Sequence, residues 1–287
     1  MDTCSDDRPI TMTDSKGNPS DRYAQNDLSK VKHVIGVVSG KGGVGKSLVT
    51  GILATNLMRA GYRVGILDAD ITGPSIPKMF GMSGKHATGI GNLLLPNISK
   101  HAIKVMSANL VLKDESDPVI WRGPVLAGAI RQFWSETSWG SIDYLLVDMP
   151  PGTGDVALTV FKSLPLEGVV IVSSPQDLAR MIVGKAVRMA QLMNIPILGL
   201  VENMSYATCP DCGKKIELFG ASHVDETAAE YHIPVLGRLP LDPTIAAAVD
   251  AGTFEESLPE DLLPHAVELL TKLPDGATPP GSSESQE

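Results

Sequence analysis

One short segment constrains the fold more than any other part of the chain. The apolar stretch VIGVVS at 34–39 is followed by GKGGVGKS at 40–47 and then by a helical pattern. This is the G-x-x-x-x-G-K-[ST] motif in the strand–loop–helix context that it requires. Its glycines let backbone N–H groups converge on phosphate oxygens, and the helix presents its positive end to the same anion. The segment therefore predicts a nucleotide-binding loop between a strand and a helix.

Individual residues of this loop have predicted roles. Lys46 should reach the β and γ phosphates of ATP, and the Ser47 hydroxyl should coordinate Mg²⁺. The remaining contacts to the phosphates are assigned to Gly40, Gly42, Gly43, Val44, Gly45 and Leu48. The rival interpretation, a glycine-rich turn that merely joins a strand to a helix, fits this context poorly.

Apolar β-branched runs alternate with helical patterns along the chain, as expected of repeated βαβ units. Strands are predicted at 34–39, 64–67, 144–147, 169–172, 197–201 and 235–239. Helices are predicted at 46–60, 123–134, 177–193, 224–231, 244–251 and 259–272. Because most of the strands are continuously apolar, they suit a mostly parallel sheet with helices on both faces. The sequence predicts one doubly wound α/β domain.

Polar segments flank this domain. Residues 1–30 are rich in Asp, Ser, Asn and Thr without periodicity, and residues 274–287 read PDGATPPGSSESQE, so both ends are predicted to be disordered. The ATPase domain is predicted at 31–273, with a metal-binding insertion near 205–220. Residues 82–106, rich in Gly and Asn, are predicted to form a loop with a short hairpin.

The composition limits the classes of partner. The chain has 24 Lys and Arg against 33 Asp and Glu, a net charge of -9, which leaves no basic surface for a nucleic-acid backbone. No apolar run is long enough to cross a bilayer. The first residues, MDTCSDDRPI, lack the features of a secretory or mitochondrial signal. We expect a soluble, cytoplasmic protein that binds neither nucleic acid nor membranes.

Three aspartates follow predicted strands and complete a hydrolysis site. The segment ILDADITGPS places Asp68 and Asp70 after the second strand, and LLVDMPPGTGD places Asp148 after an apolar run, as in a Walker B motif. We assign Asp68 to the Mg²⁺ shell, Asp70 to the attacking water and Asp148 to catalysis, with the loop after Asp148 sensing the γ-phosphate. Strand-end aspartates often cap helices. Their joint presence after a phosphate-binding loop favours catalysis.

The sequence signals for the residues that bind the base of the nucleotide are weaker. Asn203 ends ILGLVEN and is followed by Met-Ser-Tyr, whereas guanine-specific proteins carry N-K-x-D. The missing carboxylate favours ATP over GTP. Asn203 could hydrogen-bond to adenine, and the segment RLPLD at 238–242, which contains Pro240 and Asp242, could pack against the ring. An asparagine that simply ends a strand is the alternative.

The segment CPDCG places Cys209 and Cys212 at the C-x-x-C spacing of metal ligands. A tetrahedral site needs four ligands, no other C-x-x-C occurs, and Cys4 lies in the N-terminal arm. A homodimer would supply two cysteines from each copy, which suits a [4Fe–4S] cluster or Zn²⁺. A thioredoxin-like redox pair and a structurally idle turn remain alternatives.

Lys41 gives the loop the pattern K-G-G-x-G-K-S, which resembles the deviant P-loop class. By that resemblance its side chain crosses a dimer interface to the nucleotide of the second copy and neutralises charge that develops in phosphoryl transfer. The alternative is a solvated surface lysine.

The chain as a whole resembles the Mrp/ApbC family of P-loop ATPases that carry iron–sulfur clusters. The resemblance covers about residues 31–272 and rests on SGKGGVGKS, LDADITGPSIP, WRGP at 121–124, DYLLVDMPPGTGD, SSPQD at 173–177, and ENMSYATCPDCG followed by FG. It implies a homodimer that binds ATP, ligates a labile [4Fe–4S] cluster through its paired cysteines and hands it to apo-proteins, with a cluster-assembly scaffold as a candidate donor.

Two departures from that family are visible. The arm has only Cys4, whereas the eukaryotic cytosolic scaffold branch carries four further cysteines there, so the resemblance favours a bacterial or organellar type of carrier. Leu48 stands where Thr is common, which should leave Mg²⁺ coordination by Ser47 intact. A partitioning or positioning ATPase and a Zn²⁺-clasped chaperone-like ATPase are the alternative functions.

Overall fold

The structure is a computed structural model that describes residues 23–70, 73, 75–91, 93–111, 123–176 and 179–274. Its strands are β1 Ser29–Ser39, β2 Val64–Asp68, β3 Thr88–Ile90, β4 Leu93–Leu95, β5 Asn97–Ile98, β6 Lys104–Ser107, β7 Gly140–Asp148, β8 Gly168–Ser173, β9 Ile197–Thr208, β10 Lys215–Ile216 and β11 Val235–Pro240. Its helices are α1 Lys46–Arg59, α2 Ile76–Met79, α3 Gly123–Ser135, α4 Asp155–Ser163, α5 Ala179–Leu192, α6 Val224–Tyr231, α7 Pro243–Ala251, α8 Phe254–Ser257 and α9 Pro264–Thr271.

Seven strands form the parallel body of the main sheet, as far as the chain is described. Their order is β11-β9-β8-β1-β7-β2-β6, while β10 and β5 pair antiparallel with β9 and β6. Parallel neighbours need crossover connections, and the helices supply them. The predicted doubly wound, mostly parallel α/β fold is confirmed.

Two hydrophobic cores cover the two faces of the sheet. Along β1, Val34 and Val38 point into one core, with apolar residues of α3, α4, α5 and α6. Ile35 and Val37 point into the other, with residues of α1, α2, α8 and α9. Both faces are therefore dry, which explains why β1 is apolar throughout instead of alternating.

The strand order decides where a ligand can bind. Strand β1 lies between β7 and β8, so the loop that follows it sits where the connections diverge to either side of the sheet. Parallel strands present their carboxyl ends at one edge, and doubly wound sheets bind ligands in the crevice at that edge. The register places Asp148 at the end of β7 beside Asp68 of β2 and Val37 of β1.

The N-terminal boundary differs from the prediction. Strand β1 begins at Ser29, and Asn26 Nδ2 donates to the backbone oxygens of Ser135 at 2.9 Å and Thr137 at 2.8 Å. The predicted arm therefore extends too far, because Asn26 binds two carbonyls that lie far along the chain. Residues 1–22 and 275–287, where disorder is predicted, lie outside the described residues.

The predicted loop at 82–106 is partly wrong. It contains the predicted hairpin, in which β3 and β4 pair antiparallel. It also contains β5 and β6, and β6 pairs in parallel with β2 in the main sheet. Strand β6 has only three buried residues, Val105, Met106 and Ser107, so its hydrophobic run is too short to be separated from loop sequence.

Besides β5 and β6, the predictions omit α2, α4, α8 and β10, and one helix starts late. Helix α4 begins directly after the Pro/Gly-rich loop, whose composition masks the start of the helical pattern. Elements α2, α8 and β10 span four residues or fewer. The helix predicted at 259–272 begins only at Pro264, after Leu263 in the left-handed conformation with φ 55°. Proline favours the first turn of a helix, which fixes this start.

A salt bridge joins the amino-terminal end of β2 to β7. Asp143 Oδ2 accepts hydrogen bonds from the backbone N–H of Arg63 at 2.9 Å and from its Nε at 3.0 Å, and Oδ1 accepts from its guanidinium at 2.9 Å. Lys32 Nζ lies 3.1 Å from the same carboxylate. These donors, the Arg63 side chain foremost, hold the pKa of Asp143 well below its usual range.

We expect Asp143→Asn to lower the free energy of unfolding by about 1–3 kcal/mol at pH 7, because it removes charge-assisted hydrogen bonds at a nearly buried position. The folded-state pKa is depressed, so this stabilisation is complete above the unfolded pKa of about 3.9, begins to decline below it and is lost as the pH falls through the lower folded-state pKa. Urea denaturation of both proteins at pH 7 and at about pH 3.5 measures the difference.

Asp250→Asn is the matched control, because the Lys78–Asp250 pair is more than half exposed at both side chains. Its effect at pH 7 should stay within about 0.5 kcal/mol. An equal loss for Asp143→Asn at both pH values would contradict the role assigned to the charge.

Candidate nucleotide site and cysteine hairpin

The loop at 40–47 needs glycine at two positions for reasons of packing. Gly45 precedes α1 with φ 80°, and a Cβ there would lie 2.1 Å from Asn203 Nδ2. A Cβ on Gly40 would lie 2.2 Å from Ile182 Cγ2. The loop is therefore pressed against α5 on one side and the middle of β9 on the other, because β9 continues to Thr208, while Gly43 has open space around it.

Asp148 brings the predicted catalytic residues together. Its Oδ1 accepts from Lys46 Nζ at 2.7 Å and from Thr50 Oγ1 at 3.0 Å, and its Oδ2 accepts from Ser47 Oγ at 2.5 Å. Asp70 Oδ2 lies 3.6 Å from the same lysine. Lys46 is 5% exposed and Asp148 is fully buried, so the ammonium and the carboxylate neutralise each other away from water.

Asp68 lies beside this group and is also fully buried. Its Oδ2 accepts from Ser107 Oγ at 3.0 Å, and its Oδ1 accepts from the backbone N–H of Asp70 at 3.1 Å. Burial first, and then the neighbouring charge of Asp148, raises the pKa of Asp68 to about 8, against the opposing effect of Lys46. The hydroxyl and carboxylate oxygens gathered here are the hard donors that Mg²⁺ prefers, so the residues fit that ion.

A cavity of about 600 Å³ opens from this group along the carboxyl edge of the sheet. Its walls include most of the predicted nucleotide-binding residues: Gly42, Gly43, Gly45, Lys46, Ser47, Leu48, Asn203, Pro240 and Asp242. Gly40 and Val44, also predicted, do not line it, because Gly40 packs on α5 and the Val44 side chain is buried in the core. The volume lies within the range of small-molecule sites.

The amide of Asn203 is only half satisfied. Its Nδ2 donates to the backbone oxygen of Val44 at 3.0 Å, whereas its Oδ1 is buried and has no hydrogen-bond partner among the described residues. A buried acceptor without a partner costs free energy, so Oδ1 is a site for a ligand donor. Asp242 is engaged differently, since it caps α7 by accepting from the backbone N–H of Thr244 at 2.8 Å.

Lys41 does not line the cavity of its own subunit. Its Nζ donates to Gln176 Oε1, and its backbone oxygen accepts from Ser39 Oγ at 2.9 Å. The side chain thus contacts the segment that follows β8 and stays outside the cavity.

The C-x-x-C pair lies on the hairpin formed by β9 and β10. Cys209 N–H donates to the Lys214 backbone oxygen at 2.9 Å, and Gly213 N–H donates to the Cys209 backbone oxygen at 2.9 Å. Backbone N–H groups of Cys212 and Asp211 directed at its sulfur lower the pKa of Cys209. Both thiols are free, and Cys212 is exposed.

The described part of the chain contains no cluster of three or more His, Cys, Asp or Glu side chains able to hold a metal ion. The cysteine pair therefore has only two ligands to offer from one copy. Because it lies on a hairpin, the pair also lacks the helix N-terminus that activates thioredoxin-like cysteines.

Some site residues were not predicted. Thr50 lies one helical turn after Lys46, and that i, i+4 spacing is the signal that identifies it as a third hydrogen-bond donor to Asp148. Ser107 carries no sequence signal because β6 falls within the predicted loop at 82–106. Gln176, the partner of Lys41, and Met204, which lines the cavity, carry no sequence signal of their own. Further apolar residues of the cavity wall are Leu241, Ile245, Ala246 and Val249.

Among the described helices none has the length and apolar character needed to cross a bilayer.

Similar proteins agree on one family. A family model described as NUBPL iron-transfer P-loop NTPase, of the ParA group, matches residues 30–272. The iron–sulfur cluster carrier protein of Clostridium perfringens is 48% identical, over 83% of this chain and 86% of its own. That of Methanocaldococcus jannaschii is 44% identical, over 88% and 87%. The cytosolic Fe–S cluster assembly factor CFD1 of Kluyveromyces lactis is 41% identical, over 80% and 84%.

Solved structures give the same result. The nucleotide-binding protein of Archaeoglobus fulgidus in complex with ADP superposes with a TM-score of 0.74 at 42% identity, over 83% of this chain and 94% of its own. The cell division ATPase MinD of Pyrococcus furiosus gives a TM-score of 0.62 at 21% identity, over 85% and 100%, which shows a shared fold alone. The chain therefore belongs to the iron-transfer P-loop NTPase family, and the resemblance to Mrp/ApbC proteins drawn from its motifs is confirmed.

Proposed function

We propose that this protein is an ATP-binding and ATP-hydrolysing carrier that holds a [4Fe–4S] cluster between two copies of the chain and passes it to apo-proteins. The observation that carries the proposal is the pair of free cysteines directly after β9, the strand that also lines the nucleotide cavity. The carrier names of the relatives from Clostridium perfringens and Methanocaldococcus jannaschii support the cargo. A cluster-assembly scaffold is the donor that we expect.

Binding of ATP uses the buried charges of the site. Lys46, now paired with Asp148 and close to Asp70, turns to the β and γ phosphates when they enter. Ser47 and Asp68 would hold Mg²⁺, which supplies positive charge to the phosphate oxygens when bound. Asp70, partly exposed at the cavity wall, accepts a hydrogen bond from the attacking water and orients it.

The second copy completes the phosphate site through Lys41. This lysine lies outside the cavity of its own subunit and is hydrogen-bonded to the neutral side chain of Gln176. Moving it to the nucleotide of the second copy therefore breaks a hydrogen bond to a neutral group. A cation that reaches the γ-phosphate only in the dimer ties hydrolysis to the assembly of two subunits.

The second copy also completes the cargo site. Cys209 and Cys212 from two copies make four thiolates, the ligand number of a [4Fe–4S] cluster. The lowered pKa of Cys209 favours the thiolate that ligates iron. Beside the cysteines, Ile216, Leu218 and Phe219 are 44%, 52% and 41% exposed, an apolar surface that a second copy would cover.

The name of the Kluyveromyces lactis relative, a cytosolic assembly factor, supports a cytoplasmic location for this protein. Zn²⁺ is the alternative occupant of the four thiolates, because it takes the same tetrahedral set.

Subunit mixing tests the role of Lys41 across the interface. We expect Lys41→Ala and Asp70→Asn each to reduce ATP hydrolysis by about 10²-fold or more. An equimolar mixture should recover about a quarter of the wild-type rate, because half of the dimers are mixed and each has one site with Asp70 and the second copy's lysine. Phosphate release before and after mixing measures this. A mixture as inactive as its components would mean that Lys41 acts within its own subunit.

Nucleotide competition tests the base site. We expect the protein to prefer ATP to GTP by at least about tenfold, because the free Asn203 Oδ1 accepts from the adenine amino group and faces an oxygen in guanine. Asn203→Ala should weaken ATP by about tenfold and leave GTP nearly unchanged. Isothermal titration of both nucleotides provides the affinities.

Asn56→Ala is a matched control for the base site. Asn56 is also buried, donates through Nδ2 to a backbone oxygen at 2.6 Å and leaves its Oδ1 without a partner, but it lies outside the nucleotide cavity. Its ATP affinity should equal that of the wild type. An equal loss of ATP affinity in Asn203→Ala and Asn56→Ala would mean that the effect comes from reduced stability and not from a lost contact to the base.

Anaerobic reconstitution tests the cargo site. We expect about four iron and four sulfide per wild-type dimer with visible charge-transfer absorption, and neither in Cys209→Ala, because one cysteine from each copy leaves two ligands. Cys4→Ala is the control and should reconstitute normally. A wild-type cluster in Cys209→Ala would contradict the bridging site, and zinc without this absorption would favour the Zn²⁺ alternative.

A further inference from the structure

Strand β9 connects the two sites of the proposed function. It lines the nucleotide cavity at Asn203 and Met204 and ends at Thr208, directly before Cys209. An extended chain from Asn203 to Cys209 spans about 20 Å. Strand β9 is therefore the direct covalent path from the cavity to the cysteines.

Met204 interrupts this strand with a left-handed backbone conformation, φ 58°. The other non-glycine residues with positive φ among the described ones lie in turns or at helix ends, and they are Ala102, Asn194, His232 and Leu263. The left-handed region is unfavourable for a residue with a Cβ. It persists in a strand only where the surroundings hold it, which is typical of functional sites.

The register of β9 against β11 shows how Met204 is accommodated. Arg238 lies opposite Glu202, and Pro240 lies opposite Tyr206. Strand β11 thus advances by two residues where β9 advances by four, so β9 carries two extra residues in a bulge. The bulge is closed by a hydrogen bond from Ser205 Oγ to the buried carboxylate of Glu202.

Contacts join the bulge to the cavity on one side and to the hairpin on the other. Asn203 Nδ2 donates to the phosphate loop at the Val44 oxygen, and Leu241, a residue of the cavity wall, donates its N–H to the Tyr206 oxygen at 2.7 Å. On the hairpin side, Lys215 Nζ lies 4.1 Å from the centre of the Tyr206 ring.

We infer that the bulge at 203–206 is a connector through which a bound nucleotide fixes the position of the cysteine hairpin, with Met204 as its hinge. The inference rests on the proposed function, because it takes ATP as the occupant of the cavity. A nucleotide that donates to Asn203 Oδ1 holds this amide from both sides and so holds the left-handed Met204 that follows. An extended Met204 would straighten β9 and turn the residues after it, Cys209 included.

Hydrogen exchange of the full chain with and without Mg²⁺–ATP tests the connector. In the wild type, nucleotide should slow exchange of the amides at 205–216 by about fivefold or more, the lower end of typical coupling between sites. Met204→Gly should abolish this slowing, because glycine adopts left-handed and extended conformations with similar ease. Ser205→Ala, which removes the bond to Glu202, is a second variant should Met204→Gly fail to fold.

His232→Gly makes the same backbone change at the left-handed end of α6 and should keep the wild-type response. ATP affinity is measured on every sample by titration, which separates the two hypotheses. ATP that binds the wild type without slowing exchange at 205–216, or a full response in Met204→Gly, would overturn the connector and leave the proposed function standing. A wild type that does not bind ATP would overturn the proposed function and the connector with it.

Discussion

The nucleotide site depends on one buried carboxylate, Asp148, at the end of β7. It is removed from water and accepts hydrogen bonds from Lys46, Ser47 and Thr50, all within the first turns of α1. A buried carboxylate without such donors would cost several kcal/mol, so the group holds α1 in one position against the sheet. The phosphate loop leads directly into α1 and takes its own position from that arrangement.

The order of the strands supplies the remaining parts of the site. Because β1, β2, β7 and β9 are parallel, their carboxyl ends meet at one edge, and side chains that are far apart in the sequence become neighbours there. Gly45 and Asn203 make an especially close contact at this edge, since any Cβ at residue 45 would collide with the amide. The same packing leaves Asn203 Oδ1 without a partner, so the fold itself creates the acceptor that a base can use.

The sequence predicts this site as far as its signals are local. Lys46 and Ser47 belong to a motif of eight consecutive residues. Asp68 and Asp148 directly follow apolar runs, and Asp70 lies two residues after Asp68. Ser107 depends on β6, whose pairing with β2 is a tertiary contact that a three-residue run does not encode. The left-handed backbone of Met204 cannot be predicted from the sequence, because methionine has no preference for that conformation. It accompanies the register shift between β9 and β11, which is a tertiary feature.

Two incomplete sites place a strong condition on any dimer of this chain. Lys41 lies outside its own cavity, and the cysteine hairpin offers two thiols of the four that a cluster needs. A two-fold dimer has a single axis, so one arrangement of the copies must satisfy both requirements. Strand β9 runs from the nucleotide cavity to the cysteine hairpin, and the chain from Asn203 to Cys209 spans at most about 20 Å. Under the proposed function, a tilt of the subunits that brings Lys41 to the phosphates also moves the hairpins relative to each other, so symmetry adds a second link between nucleotide state and cargo beside the bulge of β9.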